Sequence, residues 1–131
     1  MPHGLEDVVS DAALDHMLKT ATWTAPTNIY VALFDGEPGN GGSELAGSGY
    51  ARVQHETWHA AEDGEATNDG VVEFPEATGD WSEADWFALF DAATDGTRLA
   101  RGPLYSPKTV ESGDAAKFGD ATLTIAIERT P

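Results

Sequence analysis

The sequence contains no cysteine, so neither disulfides nor thiolate metal sites contribute to this chain. Basic residues are also scarce, with 7 Lys and Arg against 23 Asp and Glu and a formal net charge of -16. A surface of this charge repels phosphate backbones and anionic headgroups, so nucleic acid and membranes are poor partners. The sequence has no long apolar run and no apparent signal peptide. We therefore expect a soluble protein that is made in the cytoplasm.

The scarcity of lysine indicates a particular environment. Only Lys19, Lys108 and Lys117 occur, whereas carboxylates are scattered along the whole chain. Apolar residues still make up 40% of the sequence, which favours a folded domain with an acidic surface over a disordered tail. Molar salt would screen the self-repulsion of such a surface. This composition resembles proteins of salt-accumulating halophiles, and an ordinary acidic mesophilic protein is the alternative.

A chain of 131 residues is long enough for one hydrophobic core. The spacing of its apolar residues predicts an N-terminal helix followed by a β domain. The predicted helix spans residues 1–20, with Glu6 and Asp7 near its start and Lys19 near its end. Residues 21–131 form the predicted β domain. The spacing that predicts an amphipathic helix is carried by these apolar residues: Leu5, Val8, Val9, Ala12 and Met17.

The rest of the chain alternates in period two and is interrupted by Gly, Asp, Asn and Pro. Short strands separated by such turns are typical of an antiparallel β-sandwich, here with one helix, and the expected topology is jelly-roll-like. The first predicted strand contains Ile29, Val31 and Leu33. The other predicted strands are 50–57, 71–74, 86–90, 98–104 and 121–128.

The tetrapeptide ALFD occurs twice, at residues 32–35 and 88–91. The sequences that follow the two copies align only loosely, which argues against a duplication. Alternation places Leu and Phe on opposite faces of each strand. Asp35 or Asp91 can then accept N–H bonds from the turn that follows. We interpret the recurrence as two equivalent strand ends.

The order of the motifs resembles a family from tailed-virus genomes, commonly labelled phage tail fibre protein or virion structural protein. The resemblance covers nearly the whole chain through TAPTNIYVALFDGEPGNGG, GSGYARV, FPEATGDW, WFALFDAATDG and SPKTVESGD. It implies a non-enzymatic, β-rich building block of a virion surface, without catalytic residues or a cofactor. Pro107 departs from the family pattern, and we expect it to affect only a loop.

The segment HETWH, residues 55–59, matches the zinc-protease motif H-E-x-x-H. In that motif two histidines one helical turn apart bind zinc and the glutamate activates water. The preceding alternation favours a strand, in which His55 and His59 would lie about 13 Å apart. Zinc binding would require a helical turn here, with Glu76 or Glu83 as a third ligand. We therefore assign no metal site, and the protease remains a remote alternative.

Two other binding sites are weaker alternatives. Stacking of tryptophans on a sugar ring, as in carbohydrate-binding sandwiches, competes with a role in the core or in subunit contacts. The four tryptophans are Trp23, Trp58, Trp81 and Trp86. A calcium site is the second alternative, without the EF-hand spacing. The carboxylates considered for it are Glu62, Asp63, Glu65 and Asp69.

These observations predict a structural subunit on the outside of a tailed virus of a halophilic, archaeal host. The absence of heptads and long repeats favours a capsid decoration or turret over a tail fibre, which usually needs reach. The alternative is a tail fibre or a receptor-binding or carbohydrate-binding module that touches a host glycan. Expected partners are the major capsid protein and copies of the chain in a trimer or pentamer. The predicted contacts are Leu5, Val8, Val9, Ala12, Met17, Trp81 and Trp86.

Overall fold

The computed structural model describes residues 4–127. It has one α-helix, α1 (Asp7–Met17), and strands that are all paired antiparallel. The N-terminal strands are β1 (Gly4–Leu5), β2 (Tyr30–Asp35), β3 (Ser43–Glu44), β4 (Val53–Gln54) and β5 (Glu65–Thr67). The later strands are β6 (Val72–Glu73), β7 (Glu83–Phe90), β8 (Arg98–Thr109), β9 (Lys117–Phe118) and β10 (Thr124–Ala126).

One six-stranded sheet organises the molecule, in the order β1-β8-β7-β2-β3, with β4 also paired to β2. Its centre is the antiparallel pair of β2 and β7, in which Ala32 lies opposite Ala88. The two ALFD segments are therefore neighbours that run in opposite directions. This arrangement confirms that the repeat marks two equivalent strand ends.

The faces of these central strands follow the predicted alternation. Leu33 and Leu89 belong to the main core, whereas Phe34 and Phe90 stack on the other face with centroids 6.2 Å apart. The turn after β7 is capped as predicted, because Asp91 Oδ1 accepts the N–H of Thr97 at 2.8 Å.

The corresponding turn after β2 uses a different acid. The N–H of Gly36 donates to Asp85 Oδ1 at 2.7 Å, so the carboxylate comes from β7 instead of from the residue that ends β2. Turn rules consider only neighbouring residues, so they cannot predict a contact between residues 49 positions apart.

The main core lies between the sheet and two ribbons, β5 with β10 and β6 with β9. Phe87 and Leu33 from the sheet share this core with Val72 and Phe118 from the ribbons. Gly102 permits close packing there, since an added Cβ would lie 2.7 Å from the Phe87 ring. The predicted class, mainly β and antiparallel with one N-terminal helix, is confirmed. The sheets do not close into a barrel.

Several predicted boundaries were wrong. The helix begins at Asp7 and its last residue is Met17, so Leu5 lies in β1 opposite Ala100 instead of on the helix. The predicted strand 50–57 contains only Val53–Gln54, and 71–74 contains Val72–Glu73. The last predicted strand is reduced to Thr124–Ala126, and its residue 128 lies outside the described part.

Pro107 lies in a strand, which corrects its expected position in a loop. Between the pairs Ala84–Lys108 and Trp86–Pro103 the register of β7 and β8 shifts, and the residues between them form an irregular segment. Proline is tolerated at such an irregularity because no ladder N–H is required of it. The whole of β8, Arg98–Thr109, is therefore longer than predicted.

Within the described residues, no helix is both long and apolar enough to cross a bilayer.

Candidate functional site

The helix α1 is attached to the sheet by its first turn. Val9 is buried against the sheet, and the N–H of Glu6 donates to Leu99 O at 2.9 Å. The Glu6 carboxylate forms ion pairs with Arg98 at 2.9 Å and Arg101 at 3.7 Å, both from β8. Because these side chains are mostly buried, the start of the helix has a fixed position on the molecule.

The other end of the helix exposes apolar side chains. Leu14, Met17 and Leu18 have i, i+3, i+4 spacing, which places them on one side of the helix at its C-terminal end. Their exposed fractions are 52%, 65% and 63%. Trp23 follows in the next segment, where its backbone N–H donates to His16 Nδ1 at 3.2 Å. We call Leu14, Met17, Leu18 and Trp23 the N-terminal apolar surface.

An apolar pocket of about 160 Å³ opens beside this surface. Trp23 belongs to both, and the remaining lining comes from the helix, the segment after it and the sheet. These lining residues are Leu5, Val9, Pro26, Ile29, Leu89, Leu99, Ala100 and Ile125. Exposed apolar area of this kind, on a chain of charge -16, is a typical feature of a protein contact surface.

The five predicted contact residues near the N-terminus differ in their exposure. Val8 and Met17 are exposed, Leu5 and Ala12 are half-buried, and Val9 is buried within the chain. Leu14 and Leu18 were not among the predicted contacts, although both are exposed. Their spacing with Met17 is visible in the sequence but was obscured by the assumption that Leu5 belongs to the helix.

The predicted aromatic surface around Trp81 and Trp86 is absent, and this prediction was wrong. Trp81 is 4% exposed in the main core, where its Nε1–H donates to Ser48 O at 2.8 Å. Trp86 is half-buried on the other face of the sheet, next to Phe34 and Phe90. Since the two indoles lie on opposite faces, they cannot form one contact.

That other face is covered by the loop of residues 36–42. Pro38 is fully buried, and its carbonyl accepts an N–H of Arg101 at 2.7 Å. Glu37 O accepts the N–H groups of Asn40 and Gly42 and closes the loop on itself. The loop of residues 36–42 therefore has a defined conformation and is held on this face by Arg101.

A second arginine network lies at the edge of this face. Arg52 pairs with both carboxylate oxygens of Glu44 at 2.9 Å, donates to Ala92 O and Asp95 O, and lies 3.7 Å over the Phe90 ring. Tyr50 joins the network by donating its hydroxyl to Glu44 at 2.6 Å. Burial, followed by this hydrogen bond, raises the pKa of the Tyr50 phenol. The network holds β3, β4 and the 92–95 turn together.

The HETWH segment has no helix, as its alternation predicts. The N–H groups of His55 and His59 donate to Ile29 O and Thr67 O, in two different strand-like pairings. Glu56 accepts the N–H of Ile29 at 2.9 Å and an amide N–H of Gln54. A helical pair of histidines with a free glutamate between them is therefore absent from this segment.

His59 lies instead beside two aspartates. Its Nε2 is 2.8 Å from Asp120 Oδ1 and 3.9 Å from Asp69 Oδ1. The hydrogen bond to Asp120 raises the pKa of the His59 imidazole. The N–H of Gly70, followed by His59, lowers the pKa of the Asp120 carboxyl.

We call His59, Asp69 and Asp120 the His–Asp cluster. Within residues 4–127, these are the side chains grouped closely enough to hold one metal ion. Neither Glu76 nor Glu83 belongs to the group. Of the carboxylates considered for calcium, only Asp69 does.

Comparison with known proteins identifies the family. No curated protein matches the sequence. A family model described as podophage GP4 fiber I protein gp80 matches residues 4–126, nearly the entire part that the structure describes. This match agrees with the order of motifs along the chain and with the mainly β fold. The chain therefore belongs to the family of the podophage GP4 fiber I protein gp80, a family of phage tail fibres.

Proposed function

We propose that this chain is a non-enzymatic structural subunit of a tail fibre on a tailed virus particle. The observation that supports the proposal most strongly is the fibre-family match over residues 4–126. The preference for a capsid decoration, based on the absence of heptads, lacks such support. A compact domain can occupy the base or the tip of a fibre whose reach comes from other chains.

The proposed mechanism is assembly through the N-terminal apolar surface. Copies of the chain would form a trimer or pentamer, since a closed ring uses the same interface repeatedly. Covering Leu14, Met17, Leu18 and Trp23 would remove exposed apolar area from water, which favours association. Further virion proteins would bind the assembled ring. A host glycan is a candidate ligand of the assembled ring in this proposal.

Assembly can be tested with two substitutions at the end of the helix. We expect Met17→Glu with Leu18→Glu to convert the oligomer into a monomer, because both side chains are more than half exposed and contribute little to the fold of one chain. Light scattering after size-exclusion chromatography in molar salt measures the mass. Val71→Glu is the matched control, since Val71 is 58% exposed elsewhere. A full-length chain that is already monomeric at all concentrations would refute this assembly.

A high-salt host is a second part of the proposal. We expect the melting temperature to rise strongly between dilute buffer and molar NaCl, because a charge of -16 opposes compaction until it is screened. Thermal unfolding followed by circular dichroism across a salt series measures the effect. A variant with exposed Asp11, Glu62 and Glu111 changed to amides should respond less. Equal melting temperatures at all salt concentrations would remove the halophile inference.

The location in the particle can be tested biochemically. Purified virions are disrupted, and tails and capsids are separated before quantitative mass spectrometry of this chain. We expect it in the tail fraction, in small numbers set by the symmetry of the tail. Recovery with the capsid shell in hundreds of copies would support the decoration reading and contradict the proposal.

A further inference from the structure

We propose that the His–Asp cluster is a binding site for a divalent first-row transition metal ion such as Zn²⁺, with His59 Nε2 and one oxygen each from Asp69 and Asp120 as ligands. The three ligand atoms all lie within 4.8 Å of one another. Around an ion with bonds of about 2.0–2.2 Å, neighbouring ligand atoms are about 3–3.5 Å apart. Small side-chain movements would therefore bring all three atoms onto one ion.

The hydrogen bonding of the cluster favours a cation. Both carboxylates approach the same imidazole nitrogen, at 2.8 Å and 3.9 Å. One N–H can serve one of them well, so the nearer Asp120 takes it and Asp69 is left at an ion-pair distance. A metal ion would instead contact all three atoms and neutralise two adjacent acids on a chain of charge -16. The mixed nitrogen and oxygen set is suited to zinc, cobalt or nickel rather than to Ca²⁺.

The backbone under the cluster already has a fixed position. Asp69 N–H donates to Thr57 O at 3.0 Å, and the Thr57 hydroxyl donates back to Asp69 O at 2.9 Å. Asp120 is held by the Gly70 N–H at 2.9 Å, and fully buried Asn68 bonds both to Gly70 O and to the segment of residues 119–122. His59 and Asp69, which lie on two paired neighbouring segments, and the distant Asp120 thus present their ligand atoms from backbone that is already in place.

The protein ligands would fill three positions of the ion. All three side chains are exposed, so water or a group from another protein molecule would complete the coordination. Such an open site can join chains or a chain and a ligand. This inference is independent of the proposed fibre role, because it rests on residues 59, 69 and 120 alone.

The experiment titrates the metal-free full chain with Zn²⁺ by calorimetry, and with Co²⁺ followed by its visible absorption, in molar NaCl. High salt suppresses diffuse binding to the acidic surface. We expect one ion per chain, and affinity at least about tenfold lower in His59→Gln, Asp69→Asn and Asp120→Asn, since loss of supporting groups alone costs 10–100-fold. The Asp120→Asn variant keeps a side-chain oxygen that can accept the Gly70 N–H, and metal-free melting curves confirm that each variant folds.

His55→Gln is the control that separates this site from the HETWH motif. We expect it to bind Zn²⁺ as the unsubstituted chain does, since His55 pairs its ring with Trp58 and is not part of the cluster. Loss of binding in His55→Gln, equal binding in Asp120→Asn, or no binding of either metal would each overturn the proposal.

Discussion

Replacing Asn68 with alanine is expected to lower the free energy of unfolding by about 4 kcal/mol. Asn68 is fully buried, and among residues 4–127 it is the one polar residue with so little exposed surface. Its amide donates to Gly70 O and Gly119 O, and its carbonyl accepts the N–H groups of Thr122 and Leu123. Alanine would leave all four backbone groups without this partner, and an unsatisfied buried group costs about 1–3 kcal/mol.

Asn40→Ala is the matched control for this prediction. Asn40 is exposed and donates to the Glu37 side chain at 3.1 Å, so its loss should change stability by less than about 0.5 kcal/mol. Urea unfolding of both variants in molar NaCl gives the two free energies. If Asn68→Ala loses no more than Asn40→Ala, the buried amide does not hold the 119–123 loop as described.

Replacing Arg52 with methionine is expected to destabilise the fold by about 3 kcal/mol. The Arg52 side chain is 7% exposed and the Glu44 side chain 25% exposed, so this ion pair is far better shielded than an ordinary surface pair. Methionine fills part of the volume over Phe90 but leaves Glu44 without its cation. It also leaves the carbonyls of Ala92 and Asp95 without their donor.

Lys117→Met provides the comparison for a solvated ion pair. Lys117 and Glu73 are 63% and 53% exposed, with 3.8 Å between charged atoms, and exposed pairs contribute about 0–1 kcal/mol. A double-mutant cycle with Arg52→Met and Glu44→Gln then isolates the pair itself. A coupling energy near zero, with equal losses at Arg52 and Lys117, would contradict the role given to this network.

The local parts of the fold were predictable from sequence because period-two alternation is a local signal. The residues around Ala32 and Ala88 show it clearly, and their faces were predicted correctly. Short strands such as Lys117–Phe118 have too few residues for a period. They form because they pair with another segment of the chain, here Val72–Glu73.

The side chains that come together on each surface were harder to predict. Trp81 and Trp86 are close in sequence, but Trp81 precedes β7 and lies in the main core, whereas Trp86 lies within β7, after a register shift, on the other face of the sheet. The His–Asp cluster joins His59 to a residue 61 positions away. A contact between residues so far apart leaves no local spacing pattern in the sequence. The HETWH motif pairs His59 with His55, whereas the neighbours of its side chain are Asp69 and Asp120.

The location of the chain on the intact particle tests the account most directly. Electron microscopy of virions labelled with an antibody to this chain, followed by a particle map, would show where the domain lies. We predict density and label on the tail, arranged with the symmetry of the tail and with the N-terminal apolar surface covered by a neighbouring copy. Label distributed over the capsid exterior, with none on the tail, would contradict the fibre assignment.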